Sequence, residues 1–148
     1  MRALIRSIVV AGVFVVPVGV HTASAQITGP VEFTTAFPFT VGNARVPAGS
    51  YTVEPDFDSP DILTLTGRDT GVFFQVKNVQ APKDASKTEI VFKRYGQGYV
   101  LHGVWIAGTS AGAEAMVTEA EKHHAKQGGP TGEERVEAHK RVQTSERR

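Results

Sequence analysis

Gly108-Thr109-Ser110-Ala111-Gly112 spells G-x-S-x-G, the arrangement that exposes a serine nucleophile on a sharp turn between a strand and a helix. The residues before it alternate like a strand and those after it have helix-forming composition, so the immediate context fits. The wider context does not. That elbow belongs to a parallel, doubly wound sheet. Its acid and base would have to be Glu114, Glu119 or Glu121 and His123, His124 or His139, all in a polar tail that offers nothing to hold a triad in place. The simpler reading is a strand-to-helix connection in which Thr109 or Ser110 caps the helix. The chain is expected to be non-enzymatic, with no catalytic residues and no cofactor.

Two further sets of residues have ligand chemistry. Glu54, Asp56, Asp58 and Asp61 gather oxygen donors that calcium accepts, but the run lacks the central glycine and closing glutamate of an EF-hand loop. A solvated acidic loop is the expectation. His123 and His124 are adjacent, so on a helix they diverge by about a hundred degrees, unlike the i, i+4 pair that grips one zinc. With His102 and His139 far away in sequence, no metal site is expected. Tyr51, Tyr95, Tyr99 and Trp105 are candidates for an aromatic ligand surface, although aromatic residues on alternating strands commonly pack as core and core edge. Counting from Tyr99 and Leu101, Trp105 falls in phase with the core. Lys93 and Arg94 face opposite ways on a strand and make no basic patch for nucleic acid.

The elements that would carry these residues follow from period-two apolar spacing, which puts one face of a strand against a core. Val31 to Val41 alternate and are broken at Pro38, which lacks a ladder donor. Arg45-Val46, Ser50 to Glu54, Ile62 to Thr66, Val72 to Val79, Thr88 to Tyr95 and Tyr99 to Ile106 follow. Gly and Pro turns separate them, and Gly96-Gln97-Gly98 closes the clearest hairpin. About seven short strands so joined predict a mainly β fold, an antiparallel sandwich or a partly open barrel.

Composition changes near Gly112. Gln26 to Gly112 holds eight acids, seven Lys and Arg, and every aromatic residue of the mature chain, whereas Ala113 to Arg148 packs seven acids and seven Lys and Arg into 36 residues. The body, 26–112, is therefore expected to fold on its own. The tail, 113–148, is expected to form a marginal helix over Ala113–Gln127, a break at Gly128-Gly129-Pro130, and a second helical stretch, Glu133–Glu146, largely disordered toward its end.

The N-terminus sets the compartment. Arg2 and Arg6, then the 14 uncharged residues Ser7 to Val20, then Ala23-Ser24-Ala25 follow the order of a secretory signal peptide. The apolar stretch is shorter than the ~20 residues a membrane helix needs. Cleavage between Ala25 and Gln26 is expected, leaving no membrane span and placing the protein in the periplasm or outside the cell. Residues 1–25 carry two of the 16 Lys and Arg and none of the 15 Asp and Glu, so the formal charge falls from +1 to −1 on cleavage. Such a balance gives no electrostatic reason to bind nucleic acid. With no cysteine, stability must come from a hydrophobic core rather than disulfides.

The run F-P-F-T-V-G-N-A-R-V-P-A-G-S-Y-T-V at Phe37 to Val53, with V-F-K-R-Y-G at Val91 to Gly96 and then Tyr99, Leu101 and Trp105, resembles an uncharacterised family of small exported bacterial β-rich proteins. The resemblance spans about Val31 to Gly108 and implies export and a compact β fold, but no activity. The P-A-G-x-Y-x-V element also recurs in transthyretin-like and carboxypeptidase regulatory domains, which are non-catalytic β-sandwiches. The expectation is a non-catalytic exported domain that binds an unknown envelope protein or ligand, or has a structural role. A lipocalin-like carrier is the alternative, and a hydrolase using Ser110 the remote one.

Overall fold

The computed structural model describes residues 26–80 and 85–141. The expected signal peptide with Ala25, the four residues 81–84 and the far end of the tail lie outside them. The elements are β1 (Val31–Thr35), β2 (Phe39–Val41), β3 (Ala44–Val46), β4 (Gly49–Pro55), β5 (Ile62–Thr66), β6 (Gly71–Gln80), β7 (Glu89–Tyr95), β8 (Gly98–Trp105), β9 (Ala111–Ala115), α1 (Glu119–Lys126) and β10 (Gly132–Lys140).

Eight of the strands close on themselves in the order β1-β4-β5-β6-β9-β8-β7-β10 and back to β1, every neighbour antiparallel. The fold is mainly β and antiparallel, as expected. It is a closed barrel rather than a sandwich or an open barrel, however, and it has ten strands among the described residues instead of about seven. Closure removes the unpaired edges that an open sheet would expose.

Alternate side chains point inward and fill the barrel: Phe33, Tyr51, Leu65, Phe74, Ile90 and Phe92 are all buried. The break at Pro38 separates β1 from β2, and β2 leaves the ring to pair in parallel with β8 at Thr40 and Val100. The β2–β3 hairpin turns at Gly42, whose φ of 59° suits glycine. It closes one end of the barrel, because the Phe39 ring lies 5.0 Å from Phe92 on β7, 5.5 Å from Tyr51 on β4 and 6.3 Å from Phe33 on β1. The C-termini of β1, β5, β7 and β9, the N-termini of β4, β6, β8 and β10, and α1 share this end.

Three expectations change. First, Ala113–Gln127 is not one helix: Ala111–Ala115 is β9, paired with β6 and β8, and α1 begins only at Glu119. Gly112, where the composition shifts, thus lies within a strand. Its lack of a side chain has a local reason, since a Cβ there would collide with the Trp105 indole lying across it.

Second, the expected helix at Glu133 is β10, which sits between β1 and β7 with three Cα pairs to the first and six to the second. Backbone pairing on both sides outweighs the helix propensity of its Glu, Arg, Ala and Lys residues. Only Ala138 is buried and Val136 partly so. The disorder expected at the very end falls outside the described residues.

Third, Trp105 points outward and is half-buried. Val91 and Phe92 are consecutive on β7, but their partners are Gly103 and Leu101, so His102 is the extra residue of a β-bulge. One inserted residue exchanges the two faces of a strand. Leu101 and Val104 are therefore both buried, and Trp105, in phase with Leu101 by count, emerges on the opposite face.

Candidate functional site

The bulge also aims His102 at a polar cluster on the outer face of β7, β8 and β9. Lys93 and Tyr95 are two apart on β7 and share that face. Glu114 comes from β9, and α1 supplies Glu121, the one buried charged side chain among the described residues. Thr118 caps α1 by accepting from the Glu121 N–H at 3.3 Å, and Glu119 and Glu121 sit in the first turn, where the helix dipole favours acids. The sequence Thr118-Glu119-Ala120-Glu121 has the T-x-x-E form of a capping box. Here, however, the Glu121 carboxylate turns to the barrel.

Its Oε1 accepts from the Tyr95 hydroxyl at 2.8 Å and lies 4.0 Å from Lys93 Nζ. Beside it, Glu114 Oε1 is 3.3 Å from Lys77 Nζ and 4.0 Å from His102 Nε2. Burial, the Glu121 hydrogen bond and the Glu121 charge push the Tyr95 hydroxyl up to about 12. Burial first, and then the Lys93 charge, hold His102 below its ordinary value, against the upward pull of Glu114, Glu121 and Glu133. The groups satisfy one another, and neither cavity described below is lined by them. The cluster clamps α1 to the barrel wall.

The clamp predicts a pH profile. His102 favours its neutral form in the fold, so its contribution is present above about pH 6.5 and is lost as pH falls through its lowered folded value. Tyr95 favours its protonated form, so its contribution holds below about pH 10 and is lost as pH rises toward 12. Urea midpoints should fall at both extremes. His102→Asn should flatten the acid limb and Tyr95→Phe the alkaline one; unchanged limbs in both variants would refute the clamp.

The aromatic candidates do not form one surface. Tyr51 is in the core, and its hydroxyl donates to the Pro47 carbonyl. Tyr99 stacks on Phe37 with ring centroids 4.0 Å apart at the hairpin-closed end. Tyr95 is under α1, and Trp105 covers Gly112 near the other end. Ser110 lies in the hairpin loop between β8 and β9, not at a strand-to-helix elbow, and at the end of the barrel opposite His123 and His124 on α1. Instead of capping a helix, the Thr109 hydroxyl donates to the Ile106 carbonyl at 3.0 Å and accepts from the Ala111 N–H at 3.1 Å.

In the acidic loop, Asp56 Oδ1 accepts from the N–H groups of Asp58 and Ser59 at 2.9 and 3.1 Å, so this carboxylate shapes its own turn. Among the described residues no three of His, Asp and Glu converge as ligands of one ion. Two of the cavities among the described residues offer a place for a ligand. One, of about 320 Å³, opens at the end opposite the hairpin between Gly29, Glu54, Lys140, Arg141 and the fully exposed Phe57. The other, of about 470 Å³, is a polar groove on the outer face of β10, β1 and β4, lined by Glu32, Thr34, Ser50, Thr52, Glu137 and His139. Comparison with protein-family models, with curated proteins and with solved structures finds no match.

Proposed function

We propose that the protein is a non-catalytic β-barrel domain, exported to the periplasm or beyond, with a binding or structural role in the cell envelope. The observation that carries this reading is the filling of the barrel by interlocked rings: Phe33 and Phe39 lie with ring centroids 5.0 to 6.3 Å from each other and from Tyr51 and Phe92. A partner is then met on the outer face or at the open end. Export rests on the signal-like first 25 residues.

The second reading is a lipocalin-like carrier, which eight-strand closure favours, because barrels of this size hold either packed side chains or one small ligand. Titration of the mature protein, recovered from the extracytoplasmic fraction, with an apolar naphthylamine fluorophore separates the two. The filled barrel predicts no saturable enhancement, whereas a stoichiometric, saturable signal would install the carrier. N-terminal sequencing of the same sample should start at or within a few residues of Gln26; an intact Met1 would overturn export by cleavage.

A further inference from the structure

β10 is the last strand among the described residues, it lies between β1 and β7, and it is joined to neither by a hairpin. It arrives from α1 through Gln127 to Thr131, which contains Gly128 and Gly129, the latter at φ 70°. Upstream of that joint α1 is pinned to its own β7 by the Tyr95–Glu121 hydrogen bond, and downstream the Thr131 N–H donates to the Arg94 carbonyl of β7 at 2.7 Å, so the turn between them, Gln127 to Pro130, is where the strand can swing. The strand contributes one fully buried side chain, Ala138, a partly buried Val136 and the exposed ion pairs Arg135–Glu89 and Glu137–Lys87, so most of what holds it is its backbone ladders. Without it, β1 and β7 present two unpaired edges that demand a strand.

We propose that the slot between β1 and β7 accepts β10 from a second copy of this chain, giving a reciprocal strand-exchanged dimer. Each barrel then keeps every ladder it has in the monomer, because the incoming strand is chemically identical. Only the conformation of residues 127–130 differs between the two forms. Such exchange is a low-cost route to dimers when the hinge tolerates both conformations. The balance is set by concentration, since the monomer makes the same pairings within one chain.

The absence of cysteine makes the test clean. Glu89 and Glu137 are Cα partners across β7 and β10, and Glu32 and His139 across β1 and β10. Directly opposed antiparallel residues stand about 4.5–5.5 Å apart at Cα, within disulfide range. Mature Glu89→Cys and Glu137→Cys chains are mixed in urea, refolded together at several hundred micromolar and oxidised. The Glu32→Cys and His139→Cys pair is treated in the same way and guards against misfolding of one variant. Thr64→Cys with Phe73→Cys, opposed across the β5–β6 hairpin, is the control, because that turn keeps both strands in one copy. The expected result is at least tenfold more disulfide-linked heterodimer from either β10 pair than from the control, falling as the refolding concentration is lowered. Heterodimer at the control level from both β10 pairs overturns the proposal.

Discussion

A mature chain ending at Gly112 is expected to lose cooperative folding altogether. Truncation there removes β10 and most of β9, which opens the barrel at two places. On one side β1 and β7 lose the three and six Cα pairs that β10 makes with them. On the other, β6 and β8 lose partners from Ala113 onward. Phe33 on β1 and Phe92 on β7 flank the missing strand, with ring centroids 6.2 Å apart, and both would meet water. Domains are stable by only about 5–15 kcal/mol, and leaving buried donors unpaired costs about 1–3 kcal/mol each, so a few such losses exhaust the margin. The full mature chain should show one sigmoidal urea transition by far-ultraviolet circular dichroism, and the truncated chain none. A milder variant isolates the strand: Ala138→Pro deletes the N–H that donates to Thr88 O at 2.8 Å and should lower the midpoint of an otherwise intact chain. A truncated chain with an unchanged midpoint would show that the body is complete without its last strand.

Phe39→Ala should be the most damaging single truncation in the hairpin. The ring is 2% exposed and touches aromatic side chains from three strands of the ring. Replacing a buried Phe by Ala costs about 3–5 kcal/mol through lost transfer free energy and the cavity left behind. Phe57→Ala is the comparison, because Phe57 is 97% exposed and surface changes usually stay within about 0.5 kcal/mol. Equilibrium urea unfolding with equal m-values measures both. A Phe39→Ala loss below about 1 kcal/mol would mean that the hairpin does not close the barrel.

Most of the first eight strands are legible as alternation, because one face meets a core and the other does not. Pro38 marks the break between β1 and β2, and Gly96-Gln97-Gly98 the β7–β8 hairpin. β9 is not legible, since Ala-Gly-Ala-Glu-Ala reads as helix. Only the indole lying over Gly112 and the two neighbouring strands explain why small residues are needed there. β10 offers Val136 and Ala138 at period two, a real but faint signal beneath five charged side chains, and nothing local states that two edges await it. The bulge at His102 is likewise a property of pairing, which is why the face of Trp105 cannot be counted from Leu101.

The polar cluster was half visible. Lys93 and Tyr95 share a face by spacing alone, whereas the helix is expected from Ala113 with its cap at Thr109 or Ser110, and the cap that forms is Thr118. What joins them is the path of the chain from β9 over the barrel end, and that path depends on the two strands that composition hides.

Native-state hydrogen exchange of the mature protein, read residue by residue, tests most directly whether the tail completes a closed barrel. The amides of β10, above all Ala138, should exchange only through global unfolding and fall in one group with those of Phe92 on β7 and Phe33 on β1. Exchange of Glu133 to Lys140 at the rates of free peptide, while β1 and β7 stay protected, would contradict the barrel and return the tail to a separate, weakly structured segment.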